Sequence, residues 1–495
     1  MLFDYDNTDP MSILEYARKM IGKTFNDLLD EYDKSPYKSY DEFKNVKNGS
    51  FYIKEDSSIY SAKPKAKGEL GNFIEQFYFG YSPNGEQGAD FDKAHVELKQ
   101  TPIDILKSGK YSAGERLVIT MISYRDPVEE DFYKSHLWDK IRLILLIHYI
   151  RDKSLNRYDY PIKYVNLFTP PKEDLQIILE DYRKINEKIK NGKAHELSES
   201  DTLYLGACTK GATALKSQVP QYYGNHTLAK KRSFCFKRSY MDYVLKQYVM
   251  KDKLSAEKII SSIDDLKYSS FEDIVIGKIS QYYDKSDLEL IKHFNIKKNK
   301  TMWATIIYRI LGITGNRAEE FVKANIKIKA IRVEENGSVR EHMPLPTFRF
   351  KEIACQEWED SDLYQLLSET KYLFVLFYKK GENYFLKKAL FWNMNELDID
   401  IAGEEWTMVK DTIINGVEFY HQPNGTIKNN LLGSSESTII HVRPHTAKST
   451  YKLNDGYTRG DLKYADQLPD GQYMTQQSFW INKEYLINQF LSKEN

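Results

Sequence analysis

Asp90-Phe91-Asp92-Lys93-Ala94-His95-Val96, followed by Glu97 and Lys99, has a near-copy about half a chain further on, Glu320-Phe321-Val322-Lys323-Ala324-Asn325-Ile326, followed by Lys327 and Lys329. The frame extends in both directions. Lys67 precedes Glu75 by the interval at which Lys300 precedes Tyr308. Ser233-Phe234 with Tyr240 matches Ser478-Phe479 with Tyr485 at the same spacing. A period this long signals duplicated domains and not a solenoid. A chain of 495 residues also suits two or three domains better than one core. Lys251 to Ile263 is charged and lacks a strong turn signal, so the predicted lobes are 1–252 and 253–495.

The first copy carries the pattern that phosphodiester hydrolysis needs. In a strand, Glu97 and Lys99 are two apart and share a face. Asp90, arriving from a neighbouring strand, can meet Glu97. Two carboxylates with a backbone carbonyl, that of Leu98, make a hard oxygen site for Mg²⁺. Such an ion polarises the phosphate and acidifies a water. Lys99 can orient that water and offset charge in the transition state. Glu75, on the preceding helix, can add a supporting carboxylate. With 71 acidic and 71 basic residues the pattern alone arises roughly once by chance. What singles it out is the second copy, which keeps the frame and loses the chemistry. Tyr308 stands for Glu75 and Lys327 for Glu97. Lys327 would repel a divalent cation, so the second site is expected to be inactive.

Composition sets the outer limits. Apolar residues make up 41% and charged residues 29%, and the formal net charge is zero, so any nucleic-acid surface must come from local segregation of charge. Cys208, Cys235 and Cys355 form no CxxC pair, which argues against zinc and a disulfide framework and for a reducing cytoplasm. The first residues lack the basic and apolar regions of a signal peptide, and no membrane partner is expected. Ile141 to Ile150 is too short to span a bilayer and reads as a buried strand.

The periodicity predicts a helix over Leu14 to Leu29, with Thr24 capping its second part, and mostly loop over Ser35 to Lys67. Gly71 to Phe79 reads as helix, and Ala94 to Lys99 and Arg116 to Ser123 read as strands. Lys172 to Lys190 and Tyr240 to Met250 read as helices.

At Lys67-Gly68-x-x-Gly71-x-x-x-Glu75, Asp90-Phe91 and Val96-Glu97-Leu98-Lys99-x-x-Pro102 the sequence resembles the MutH family and its restriction-enzyme relatives that cut GATC. The resemblance implies an α/β (α+β) architecture of two tandem MutH-like, PD-(D/E)xK restriction-endonuclease folds, each a mixed central sheet flanked by helices. It implies Asp90 and Glu97 as metal ligands, Lys99 at the attacking water, and Glu75 and Lys67 in support. A further family lysine corresponds to Lys140, after Ser135-His136. Thr209-Lys210 matches the segment whose lysine reads the major groove, with Thr209 where the family has proline. Arg232, Lys237, Arg238 and Tyr240 match the basic-aromatic segment at the DNA, with Met241 in place of a family aromatic. Arg443-Pro444-His445 occupies the frame of Thr209-Lys210, so Arg443 and His445 are expected at DNA in the second lobe. Two fused lobes resemble the restriction enzymes and not the single-lobed repair nickase. The implied activity is Mg²⁺-dependent double-strand cleavage at GATC by a transient homodimer on DNA. A DNA-binding protein with a vestigial site and a nickase are the alternatives.

Two other motifs carry less. His195 in Gly192-Lys193-Ala194-His195-Glu196 lacks a partner histidine at metal spacing, and Gly85-x-x-Gly88 lacks the lysine of a phosphate loop.

Overall fold

The run Ile144-Leu145-Leu146-Ile147 has no polar side, so a strand built from it must be covered on both faces. The computed structural model, which describes residues 2–47, 69–81, 88–210, 218–224, 227–252 and 254–491, has that arrangement. In chain order the N-terminal half forms helices α1 (Pro10–Arg18), α2 (Phe25–Lys34), α3 (Tyr40–Lys47) and α4 (Glu69–Phe73), then strands β1 (Glu97–Ile105), β2 (Tyr111–Ala113) and β3 (Leu117–Met121). It continues with α5 (His136–Ile141), β4 (Ile144–Arg151), β5 (Ile162–Phe168), α6 (Lys172–Lys190), β6 (Leu205–Thr209), β7 (Gln218–Pro220), β8 (Leu228–Lys230), β9 (Arg232–Phe236) and α7 (Arg238–Val244). The central sheet has the order β2-β1-β4-β5, with β1 parallel to β4 and the other pairs antiparallel. On β4, Leu145 and Ile147 join the cluster of Leu14 and Phe25, while Ile144 and Leu146 join Ile178 and Tyr182 of α6. A second sheet has the order β3-β9-β6.

The C-terminal half begins with α8 (Phe271–Ser280), α9 (Asp287–His293), α10 (Met302–Ile310), α11 (Glu319–Ala324), β10 (Ile326–Val333) and β11 (Met343–Thr347). Then come α12 (Phe350–Cys355), α13 (Asp362–Glu369), β12 (Lys371–Lys380), β13 (Asn383–Trp392), α14 (Glu396–Asn415), β14 (Phe419–His421), β15 (Ile427–Asn429) and β16 (Ile440–Pro444). Four short strands, β17 (Tyr451–Lys452), β18 (Thr458–Arg459), β19 (Ala465–Gln467) and β20 (Tyr473–Thr475), make a small added sheet before β21 (Gln477–Ile481) and α15 (Lys483–Leu491).

The first half's topology recurs. β10-β12-β13 repeats β1-β4-β5, with the same parallel pair followed by the same antiparallel pair. β11-β21-β16 repeats β3-β9-β6. Buried polar contacts recur as well. Asp181 accepts the amides of Leu203, Tyr204 and Leu205 at 2.7–2.9 Å where β6 begins. Glu405, at the same place on α14, accepts those of Thr438, Ile439 and Ile440 where β16 begins. Tyr240 donates to Asp174 at 3.1 Å, and Tyr485 donates to Asp398 at 2.6 Å.

Several expected elements differ at their ends, each for a local reason. The helix expected over Leu14 to Leu29 is two helices, broken at Gly22, whose φ of 87° no helix accommodates. Thr24 caps the second, its Oγ accepting the Asp27 amide at 3.1 Å. The strand expected from Ala94 starts at Glu97, because Asp92–Ala94 is a 3₁₀ turn and His95 is left-handed at φ 53°. Ile141 closes α5 and does not open β4. The stretch from Ser35 holds α3, and 48–68 lie outside the described residues. The expected helix over Gly71 to Phe79 is α4 continued by a π-helical turn, Ile74–Tyr78. Helix α7 starts at Arg238 and likewise continues as a π-helical turn, Leu245–Val249. The Lys172–Lys190 helix holds over the same residues. Among the described residues no helix is long and apolar enough to cross a membrane.

The halves share one apolar core. Ile178, Tyr204 and Tyr240 pack in the same cluster as Phe271, Phe321 and Leu373. A buried ion pair pins the junction: Lys323 Nζ meets Asp174 Oδ1 at 2.6 Å, with side chains 5% and 2% exposed. Removing the cation strands a buried carboxylate. Lys323→Met is expected to destabilise the chain by about 3 kcal/mol, and adding Asp174→Leu to restore much of that. Thermal unfolding of the single and double variants measures both.

Candidate active site

The spacing between Asp90 and Glu97 is the length of one closed turn. Phe91 and Val96 exchange backbone hydrogen bonds of 2.9 and 3.2 Å, and His95 supplies the left-handed residue that brings the chain round. The residues just outside this bridge therefore meet. Asp90 Oδ2 accepts the Leu98 amide at 2.7 Å. Asp90 thus reaches Glu97 from a turn on the same strand, and not from a neighbouring strand as the sequence led us to expect. In an extended residue N–H and C=O point the same way, so the Leu98 carbonyl lies on the Asp90 side of β1.

Glu97 is fully buried. Its amide bonds the Leu143 carbonyl at 3.0 Å, and the β1–β4 register sets Glu97 against Ile144. That register brings in α5, which ends just before β4 and is capped by Ser135 Oγ on the Trp138 amide. Lys140, in the last turn of α5, sets its Nζ 3.0 Å from both Glu97 oxygens. Lys99, one pleat along β1, sets its own 2.6 Å from Oε1. Burial works to lower the Lys99 ammonium, yet the charges of Glu97 and Asp90 carry it above its ordinary value.

Two further carboxylates crowd this pair. Glu75 lies in the π-helical turn Ile74–Tyr78, and burial, then the Asp90 charge, push it up to about 7. Asp90 stands at the open rim. Enough protein surrounds it that loss of water, then the Glu97 charge, push it up to about 6. Asp139 Oδ2 accepts the Ala89 amide at 3.2 Å and so steadies the approach to Asp90. Sequence reading missed Asp139, since no motif joins residues so far apart. Lys67 lies outside the described residues.

Three carboxylates against two ammoniums leave the cluster short of positive charge. No group of three or more His, Cys, Asp or Glu among the described residues has metal-site geometry. The donor chemistry still fits a hard divalent cation: the Asp90 and Glu97 carboxylates and the Leu98 carbonyl are all oxygen donors, and they meet at the Asp90–Leu98 hydrogen bond of 2.7 Å.

The residues expected at DNA divide. Lys210 leaves the end of β6 half-buried, with its amide on the Lys231 carbonyl at 2.8 Å. Thr209 pairs with Arg232 across β9. Arg443 and His445 are exposed at the matching end of β16. Arg443 lies over the Trp480 ring at 5.3 Å, and His445 Nδ1 is 2.9 Å from Ser478 Oγ. Cys208 faces Ser233 as Arg443 faces Ser478, so Lys210 and His445 hold equivalent positions.

Arg232, Lys237 and Tyr240 are corrections: each is buried and internally bonded. Arg232 donates to the Ala207 carbonyl at 2.7 Å and meets Glu396 at 3.2 Å. Lys237 donates to the Thr202 carbonyl at 2.5 Å, and burial, then the Lys371 charge, lower it to about 8. Tyr240 stacks on Tyr204 at 5.0 Å. They sit where the C-terminal half closes over β9, which a single-lobed family pattern does not foresee. Arg238 is half-buried and donates to the Ala113 carbonyl at 2.9 Å. Among the described residues, the His195 ring meets Gln221 Nε2 at 3.3 Å and Glu196 Oε1 at 3.8 Å.

A mixed sheet whose parallel strand opens on a carboxylate-lysine cluster defines a nuclease of the PD-(D/E)xK class. The family profile described as DNA mismatch repair enzyme MutH matches residues 79–181. The type II restriction enzyme Sau3AI from Staphylococcus aureus is 34% identical over 459 residues, covering 86% of this chain and 92% of the relative. The chain belongs to the MutH-like type II restriction endonucleases, site-specific deoxyribonucleases whose substrate is DNA.

Burial of Arg232 makes its loss a matter of stability. Arg232→Ala is expected to destabilise by about 2 kcal/mol, since Lys230 still pairs with Glu396 at 2.9 Å. The salt dependence of DNA binding should stay as in the wild type. A shallower slope would return Arg232 to the DNA surface.

Proposed function

We propose that the N-terminal half, residues 1–252, cuts both strands of DNA at GATC in a Mg²⁺-dependent reaction. The observation that carries the reading is Glu97, buried between Lys99 and Lys140 with Asp90 one turn away. Asp90, Glu97 and the Leu98 carbonyl would hold the ion, which when bound supplies Lewis-acid polarisation of the phosphate and a more acidic water. Lys140 holds Glu97 in place. Lys99 lies next to the carboxylate pair, where its ammonium offsets charge that develops on the phosphate in the transition state. Glu75 supports the same cluster, and Lys67 takes the supporting role that the family pattern gives it. Lys210, with Thr209 before it, reads the major groove at the end of β6, and Arg238, beyond the opposite end of β9, adds positive charge.

The C-terminal half, residues 253–495, carries no counterpart of Glu97, so it is the non-cutting half. Arg443 and His445, at the reader's position, fit binding of a second GATC copy. One cutting site per chain cannot sever two strands at once. A palindromic target therefore favours a transient homodimer on DNA, promoted by that second contact. Buried free thiols at Cys208 and Cys235 suit a reducing cytoplasm.

Glu97→Ala is expected to cut below about a thousandth of the wild-type rate while binding duplex in EDTA as the wild type does. Undiminished cutting removes Glu97 from the chemistry. Lys210→Ala should lose about 1–3 kcal/mol of preference for GATC over one-base variants, measured by competition binding. A plasmid digest completes the set. Discrete linear fragments with Mg²⁺ and none with EDTA are expected, and nicked circles alone would overturn double-strand cutting.

A further inference from the structure

The C-terminal counterpart of the active site is a cavity of about 550 Å³ lined by Lys327, Lys329 and Arg317, with Tyr308, Asn316 and Asn325. The backbone fixes the correspondence. Asn325 is left-handed at φ 52°, as His95 is at 53°, each two residues before the position in question. Lys327 pairs with Tyr372 across β12 as Glu97 pairs with Ile144 across β4. Lys327 thus stands at the place of Glu97 and Lys329 at that of Lys99, on one face of β10.

The balance of charge is reversed: among the described residues no carboxylate lines the cavity. Glu320, in the frame of Asp90, is turned away, its oxygens accepting the Ile259 and Ile260 amides at 2.9–3.0 Å. Tyr308 replaces Glu75. Lys327, Lys329 and Arg317 have no ion pair among the described residues, in a chain with as many acids as bases. Burial, then the Lys327 charge, depress Lys329, as two like charges lacking an anion must.

We infer that this cavity is a metal-free receptor for a backbone phosphate of DNA, held by Lys327 and Lys329 with Arg317. A phosphodiester is the group that the cutting half must seat in the same backbone frame, and Lys327 now stands where the Glu97 carboxylate would hold a metal, beside Lys329 in the place of Lys99. The inference rests on the reading that the C-terminal half engages DNA, and the test separates the two.

The test uses the full chain in EDTA. Amine acylation is followed residue by residue by mass spectrometry, with and without a GATC duplex, while sedimentation counts duplexes per chain. The duplex is expected to slow acylation of Lys327 and Lys329 several-fold. The Lys327→Gln/Lys329→Gln variant is expected to lose the second duplex and to lower the slope of log K against log salt by roughly 1. The footprint on wild-type protein stands even if the variant folds poorly. Two duplexes bound with unprotected lysines overturns the receptor and leaves DNA engagement standing. One duplex bound with unprotected lysines overturns both. Protection by inorganic phosphate but not by duplex makes the cavity a small-anion site and overturns the DNA assignment.

Discussion

The site depends on a single costly act, the complete burial of the Glu97 carboxylate. An isolated ionised carboxylate in the interior costs several kcal/mol, so it survives only with close partners. Lys99 and Lys140 supply them, from β1 itself and from the end of α5. That requirement fixes more than one side chain. α5 must end where β4 begins, β1 must pair with β4 in the observed register, and the turn from Phe91 to Val96 must close so that Asp90 arrives at Leu98. A slip of one residue in β1 would send Glu97 and Lys99 together to the opposite face and leave Lys140 buried without its carboxylate.

The duplication kept one class of polar contact and discarded another. Carboxylates that hold up the scaffold persist in both halves: Asp181 and Glu405 each gather amides at the start of a strand, and Asp174 and Asp398 each accept a tyrosine. The buried carboxylate of Glu97 does not persist: Lys327 stands in its place. Scaffold contacts resist change because a strand start without its acceptor leaves several buried amides unsatisfied. Lys93 and Lys323 occupy the same place in the two copies, yet Lys93 is exposed and Lys323 is buried on Asp174. The halves therefore meet asymmetrically, each using a different part of the same frame.

Much of this was legible in the sequence, and what was not has a physical cause. The apolar run through β4, the charged periodicity of α6 and the Thr24 cap are local signals, and each produced its element. The duplicated frame also gave the correspondence of Lys327 with Glu97 before any strand register was known. Lys140 was named from family resemblance, but its place against Glu97 was not, and only the β1–β4 register explains it. The errors lie where tertiary contact overrides local pattern. Arg232, Lys237 and Tyr240 read as a basic-aromatic surface, yet the second half covers them. Asp139 and Ala89 are too far apart in the chain for any spacing rule to join them.

The shared core explains why a half without a counterpart of the Glu97 carboxylate remains. Phe271, Phe321 and Leu373 complete the cluster that contains Ile178, Tyr204 and Tyr240 of the N-terminal half. Without them that cluster would lie open to water, at a cost of about 25 cal/mol for each Å² of apolar surface exposed. Asp174 would also face a junction without its ammonium. The constraint on the C-terminal half is therefore to keep its sheet and its inner face, which it does. Its own cavity borrows Phe321 and Ile326 from that core for its floor, but Lys327 and Lys329 are not part of the core, so there the sign of the charge could reverse while the backbone frame stayed fixed.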